Sequence, residues 1–425
     1  VVDPVDVLTH AGTPRAERAC RDDIIAASRN LQTSVSRMPV HDRIRALHGE
    51  MTAWRRDLHA HPEIAFAEHR TSNVVAGLLT AFGLDVHRGL AKTGVVASLR
   101  VGTGARAIGL RADLDALPIQ EQNGFAHRSA YDGRMHACGH DGHTAMLLGA
   151  AKYLAATRGF DGTVHFIFQP AEENEGGGRV MVEEGLFERF PCDAVFGMHN
   201  WPGMPVGQFG VLPGPMMASF DIFEVGLTGR GAHAAMPHDG VDPVVAGAAL
   251  VQALQTIPSR GVNPVDAVVV SVTQFHAGDT WNVIPDQSVL RGTTRAFRPE
   301  VRDDIERGIR RVCAGIDATY GTSSSLRYER RYPPTVNAPR ETAIAAEAIA
   351  KVVGKENVRT DVQPTMGAED FAFMLQAKAG CYVWIGNGPG DGGCMLHNPR
   401  YDFNDECLPI GASYWATLVE QVLAK

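Results

Sequence analysis

The segment Met135-His-Ala-Cys-Gly-His-Asp-Gly-His-Thr144 sets His136, Cys138, His140, Asp141 and His143 within eight residues, just before a helical pattern. Thiolate and neutral imidazole are good ligands for zinc and similar borderline cations, and a bound cation holds a thiol deprotonated. A lone histidine is usually structural, but five candidate donors at one helix entrance point to a metal site. Three further segments supply ligand types at strand ends or in loops: Phe168-Gln-Pro-Ala-Glu-Glu173, Gly197-Met-His-Asn200 and Leu396-His-Asn-Pro399. The adjacent carboxylates of the first read either as a solvated turn or as a division of labour. In the second case one coordinates metal while its neighbour accepts the proton of an activated water. Arg111-Ala-Asp-Leu-Asp-Ala-Leu-Pro118 ends another strand with Asp113 and Asp115. Asp115 is a candidate to orient a ligand histidine through its second ring nitrogen, or else a helix or turn cap.

Donors this far apart need a frame that gathers them. Ile44, Leu47, Met51, Trp54 and Leu58 recur at helical spacing, and a second helical pattern covers residues 68–82. Short apolar runs at 94–99, 107–110, 163–168 and 194–198 predict strands, with helix returning over 142–157. This alternation predicts an α/β fold with a mostly parallel sheet covered by helices, whose ligand site lies at the carboxyl ends of the strands. Strands at 220–227, 267–273, 288–297 and 325–331, with helices at 243–257 and 299–320, predict a small inserted α+β domain. Helix follows at 341–353, then a glycine-rich segment at 386–393 and a last helix at 408–423. The organisation read is an N-terminal extension over 1–40, in which 22–37 could form a helix, a catalytic domain over 41–216 and 333–425, and the inserted domain over 217–332. The two catalytic pieces are taken as one because the second is too small for its own core and carries His397.

The 425 residues are 44% hydrophobic and 21% charged, an ordinary globular composition. With 40 Lys plus Arg against 48 Asp plus Glu, the formal charge of -8 predicts no attraction to nucleic acid or an anionic membrane. No apolar run reaches the roughly 18 to 20 residues that span a bilayer, and the polar start is unlike a signal peptide. Cys20, Cys138, Cys192, Cys313, Cys381, Cys394 and Cys407 form an odd, scattered set without a paired framework, so a reducing, cytoplasmic location is expected. Two other chemistries compete: Cys138 as a nucleophile with His140 or His143 as base, and a metal-dependent binding protein without turnover.

The chain also resembles the two-metal amidohydrolases related to hippurate hydrolase, the N-acyl-amino-acid aminoacylases and the auxin-conjugate hydrolases. The likeness runs from about Ile44 to the C-terminus. Besides the segments above it rests on Asp57-Leu-His-Ala-His-Pro-Glu63, Gly229-Arg-Gly-Ala-His-Ala-Ala-Met-Pro-His238, Trp281-Asn-Val-Ile-Pro285, Gly292-Thr-Thr-Arg295, Met366-Gly-Ala-Glu-Asp-Phe371 and His397-Asn-Pro-Arg-Tyr-Asp-Phe-Asn-Asp405. The resemblance implies a two-metal exopeptidase-like catalytic domain with an inserted dimerisation domain. It implies two divalent ions per chain (zinc, manganese, cobalt or nickel), with Cys138 bridging and His140, Glu173, His199 and His397 completing their shells. Glu172 would be the general base toward a metal-bridging water. His233 would cross to a neighbouring subunit's site in a homodimer or homotetramer, Asn282 would polarise the substrate, and Arg295 would receive its carboxylate. The implied reaction is hydrolysis of N-acyl or N-aroyl L-amino acids to a carboxylic acid and a free amino acid, with a dipeptidase or carboxypeptidase as the alternative. The chain departs from the family at Ala368, commonly glycine, and at Trp281, differences that bear on the pocket's shape.

Overall fold

A computed structural model describes residues 40–389 and 395–425. The expected N-terminal helix, Cys20, Cys394 and half of the glycine-rich segment lie outside the described residues.

Eight strands form the main sheet, in the order Asp85–Leu90, Gly94–Val101, Gly162–Gln169, Ala107–Asp113, Ala194–Trp201, Gly380–Gly386, Phe209–Gly210 and Val358–Arg359. The four long central strands, from Gly162–Gln169 to Gly380–Gly386, run parallel, with an antiparallel hairpin at one edge. Their residues are buried almost end to end, as strands covered on both faces must be. Alternate side chains feed two cores. Val164, Phe166, Phe168, Phe196 and Val383 pack with the helices His69–Ala81, His140–Thr157, Pro339–Val353 and Leu408–Val422. Ile167, Val195, Tyr382 and Trp384 pack against Met181, Leu186, Phe371 and Met374 on the opposite face.

The chain leaves this sheet to build a second one, antiparallel, in the order Val268–Ala277, Gln287–Ala296, Phe220–Thr228 and Ser323–Tyr332. Phe223, Val225, Leu227 and Leu290 on one face pack on the helices Pro243–Leu254 and Pro299–Tyr320, making a separate third core. The helix expected over 243–257 stops at Leu254 because Pro258 has no N–H to give the Leu254 carbonyl. The helical pattern that carries Ile44 to Leu58 is split into Asp42–Arg45 and His48–Ala60. The fold is thus a mixed α/β architecture with a mostly parallel sheet and a small inserted α+β unit. None of the helices among the described residues is long and apolar enough to cross a membrane.

Candidate metal centre

The carboxyl ends of the central strands converge on the entrance of the helix His140–Thr157. Asp113 ends one strand, Gln169 ends its neighbour ahead of the turn carrying Glu172 and Glu173, and His199 lies near the end of a third. Gly139 opens the helix with φ 90°, and a Cβ there would lie 2.2 Å from Asn200 Nδ2 and 2.6 Å from the Tyr401 hydroxyl. Only glycine fits, and the Asn200 amide donates to the Cys138 carbonyl at 2.6 Å. His397 comes from a loop. It is held at φ 62° while its N–H donates to the Ala137 carbonyl at 2.7 Å.

The ligand atoms of Cys138, His140 and His199 all lie within 4.8 Å of one another, and so do those of Cys138, Glu173 and His397. Cys138 is therefore common to two groups of donors, each able to hold a cation. His199 Nδ1 sits 2.7 Å from the Asn200 carbonyl, which only accepts, so the ring proton is on Nδ1 and the Nε2 lone pair faces the thiol sulfur at 3.3 Å. Asp115 fastens two of these residues at once, with Oδ1 3.3 Å from His140 Nδ1 and Oδ2 accepting from the Glu173 N–H at 2.9 Å. His140 Nε2 is buried without a hydrogen bond, and Glu173 Oε1 faces His397 Nε2 at 3.1 Å. An orphaned nitrogen beside paired donors is what a metal ion satisfies.

Of the segment's other three candidate donors, only His143 shares a group of close donor atoms, with Asp113 and His140. His143 accepts from the Asn200 N–H at Nε2 (2.9 Å) and donates to Asp113 from Nδ1 (2.7 Å), leaving no lone pair. Asp141 points to His59, and His136 belongs to none of the metal-competent groups.

The pocket is strongly negative. Of its carboxylates Asp113, Asp115, Glu172, Glu173, Glu369 and Asp370, only three meet the buried guanidinium of Arg111, which reaches Asp113 at 2.8 Å, Glu369 at 2.9 Å and Asp370 at 3.1 Å. Burial, reinforced by the charges of Glu369, Glu173 and Asp370, holds the Glu172 carboxyl well above the usual carboxylate range. Burial and the carboxylates Glu173, Glu172 and Asp113 push the Cys138 thiol up as well. A free thiolate nucleophile is thus disfavoured, whereas a divalent cation fits the donors and the field. Burial opposes a charge on His140, but Asp113 and Asp115 outweigh it and raise its pKa to about 10, a proton that a cation would displace.

The remaining expected residues belong to the inserted unit. His233 pairs with Val283 in a two-stranded ribbon, and the Ala234 N–H donates to the Asn282 carbonyl at 3.0 Å, so His233 and Asn282 are neighbours. Both are exposed, Trp281 is 101% exposed, and neither His233 nor Asn282 belongs to a metal-competent group. His233 Nδ1 accepts from the Ala235 N–H at 3.1 Å, which leaves Nε2 as an outward-facing donor in the neutral ring. Arg295 is half-buried with its guanidinium 4.3 Å from the Phe220 ring centre, and it makes no ion pair among the described residues. The sequence reading missed Glu68, whose buried carboxylate accepts from the Ala171 N–H at 2.9 Å and the Thr93 hydroxyl at 2.6 Å. No local spacing relates it to residues a hundred positions away.

Comparison with known proteins agrees with this geometry. Residues 109–421 match the model of peptidase family M20/M25/M40. The chain is 40% identical over 377 residues to hippurate hydrolase of Campylobacter jejuni, covering 89% of this chain and 97% of that protein. It is 40% identical over 383 residues to N-acetylcysteine deacetylase of Bacillus subtilis, covering 89% and 98%. A crystal structure of a dinuclear metal-binding peptidase of the M20 family from Bacillus subtilis superposes with a TM-score of 0.77 at 38% identity, over 89% of this chain and 99% of that one.

Behind the centre lies a second polar network. Arg55, fully buried, donates to Asp402 and Asp405 at 2.7 Å each and lies 3.6 Å from Asp141, so it ties the segment after His397 to the helix that begins at His140. His59 sits between Asp141 (2.9 Å) and Glu121 (3.2 Å). Burial opposes its protonation, but hydrogen bonds to these two carboxylates outweigh burial and raise its pKa to about 9. Because the folded value exceeds the unfolded one, the charged ring stabilises the fold fully below about pH 6.5, and that stability is lost as the pH rises through 9. The difference amounts to about 3 kcal/mol. Urea unfolding at pH 6.5 and 9.5 should therefore show wild type losing about 3 kcal/mol more than His59→Gln. Equal losses in the two proteins would remove His59 from this role.

Proposed function

The chain belongs to peptidase family M20/M25/M40 and is a metal-dependent amidohydrolase, and on that premise we propose how its residues divide the hydrolysis of N-acyl amino acids. The carrying observation is that Cys138 is shared by two donor groups. We assign it as the common ligand of two divalent ions, with His140, His199, Glu173 and His397 completing the shells and Asp115 orienting His140. The mixed nitrogen, oxygen and sulfur donors suit zinc, manganese, cobalt or nickel. When bound, such ions polarise the scissile carbonyl and acidify water.

Glu172 takes a proton from the attacking water and returns it to the leaving nitrogen. A group with both tasks works best with a pKa near the operating pH, and burial beside Glu369 and Glu173 supplies the upward push. Arg295 offers a planar fork with no protein carboxylate to occupy it, which fits the carboxylate of an N-acyl or N-aroyl L-amino acid. His233, a donor outside its own chain's cluster, completes the site of a neighbouring subunit beside Asn282, in a homodimer or a homotetramer. There it stabilises the oxyanion of the tetrahedral intermediate.

Glu172→Gln should keep two ions per chain by elemental analysis and lose two to four powers of ten in turnover, roughly 3 to 5 kcal/mol. Glu173→Gln should lose metal too. A nearly fully active Glu172→Gln would end the assignment.

N-acyl amino acids should be cleaved while the corresponding amino-acid amides, which lack the negative charge, are left intact. Equal turnover of acid and amide takes Arg295 out of the site.

Mixing inactive Glu172→Gln chains with inactive His233→Ala chains should restore activity toward half of wild type per mixed dimer, because one of its two sites then carries neither defect. No recovery from a mixture whose exchange is proven by mass spectrometry would mean that His233 does not act across subunits.

A further inference from the structure

The turn that carries Glu172 closes tightly on itself. Ala171, Asn174 and Gly176 have φ of 54°, 68° and 72°. The Gly177 N–H donates back to the Ala171 carbonyl at 2.9 Å, and a Cβ on Gly177 would lie 1.8 Å from the Pro170 carbonyl oxygen. Non-glycine residues hold the left-handed region only where surrounding contacts impose it. Two contacts come from the main domain: Glu68 accepts from the Ala171 N–H at 2.9 Å, and Asp115 accepts from the Glu173 N–H at 2.9 Å. Between them, the carbonyl of Glu172 and the N–H of Gly176 depend on one further group, the hydroxyl of Tyr332, which donates to the former at 2.5 Å and accepts from the latter at 3.0 Å.

Tyr332 is the last residue of the Ser323–Tyr332 strand, where the inserted sheet hands the chain back, and it pairs in register with Phe220, where that sheet begins. Its ring is 5% exposed and stands edge-on to Phe220 and Phe373, with centroids 5.9 Å and 6.1 Å away. The Phe220 ring also carries the Arg295 guanidinium. Burial, with the charges of Asp370 and Glu172, raises the phenol far above its ordinary range, so it remains a donor.

We propose that Tyr332 is a positioning residue for Glu172, its hydroxyl fixing the aim of the base from the hinge of the inserted unit while Glu173 is held independently through Asp115. The inference rests on the reading of Glu172 as general base. A phenylalanine would fill the same space, so the hydroxyl adds only the two bonds to the turn. A misplacement of about 1 Å at a reacting group can lower rate a hundredfold.

The test is Tyr332→Phe, assayed per folded, metal-loaded chain on an N-acyl amino acid. The expected result is a fall in kcat of about ten- to a hundredfold, with KM within about twofold and two ions per chain retained, since Asp115 still holds Glu173. In a Glu172→Gln background the same substitution should lower the residual kcat no further, because the residue it positions is gone. Unchanged kcat in Tyr332→Phe overturns the proposal, as does a fall that merely tracks metal loss or one repeated in full on the Glu172→Gln background. Wild-type activity in Glu172→Gln alone would instead overturn the assignment of the base, a separate result.

Discussion

Everything in the catalytic pocket is arranged around a charge imbalance that the protein alone does not resolve. Arg111 is buried beneath the strand ends and contacts Asp113, Glu369, Asp370 and Gln169, which come from three separate stretches of chain. It offsets part of the carboxylate charge, and its planar fork dictates where these side chains lie. Glu172, Glu173 and Asp115 are left without a guanidinium. Buried carboxylates in that condition either take up protons or gather cations. A site built for divalent ions uses the second outcome, and the raised Glu172 carboxyl reflects the same field that attracts a cation.

A negative pocket is not enough, because the donors must be aimed. Three of the seven non-glycine residues with left-handed backbone angles among the described residues, His397, Ala171 and Asn174, lie there. Each lies beside a proposed ligand or base, or is one. These positions persist because buried bonds over-determine them, such as the His397 N–H on the Ala137 carbonyl and Glu68 on the Ala171 N–H. Rigid strands bring the segments close, and the strained turns give the final aim.

Much of this was legible in the sequence, for reasons that can be named. Pro299–Tyr320 has an apolar stripe at helical spacing with proline at its start and glycine past its end, and the expected and observed bounds coincide. The central strands were read too short, stopping at residues 110, 168 and 198, whereas they run to Asp113, Gln169 and Trp201. Apolarity ends where function begins, so the polar tips that form the site are the residues the pattern discards. Gly380–Gly386 is a central strand that the sequence reading does not include. Local spacing likewise offers His143 and Asp141 as candidate donors, and only the contacts, made to Asn200, Asp113 and His59, show that both ring nitrogens of His143 and one carboxylate oxygen of Asp141 are already engaged. Long-range partners such as Glu68 and Tyr332 leave no trace in local pattern.

The two units therefore carry different kinds of precision. The donor cluster, largely buried except at His397, is cross-braced, and a geometry fixed before any substrate arrives is the condition for electrostatic catalysis to act without reorganisation. His233, Asn282 and Trp281 are instead exposed on a two-stranded ribbon of the inserted unit, where few contacts constrain them. Groups of that kind vary in sequence and position at little expense to the fold. The donors are thereby held by the strand ends of the main sheet, while the exposed groups stand on the insertion. The residues at their junction, Phe220 and Tyr332, are buried and hydrogen-bonded or stacked on both sides, as a joint must be if changes in the outer unit are to leave the aim of the inner one undisturbed.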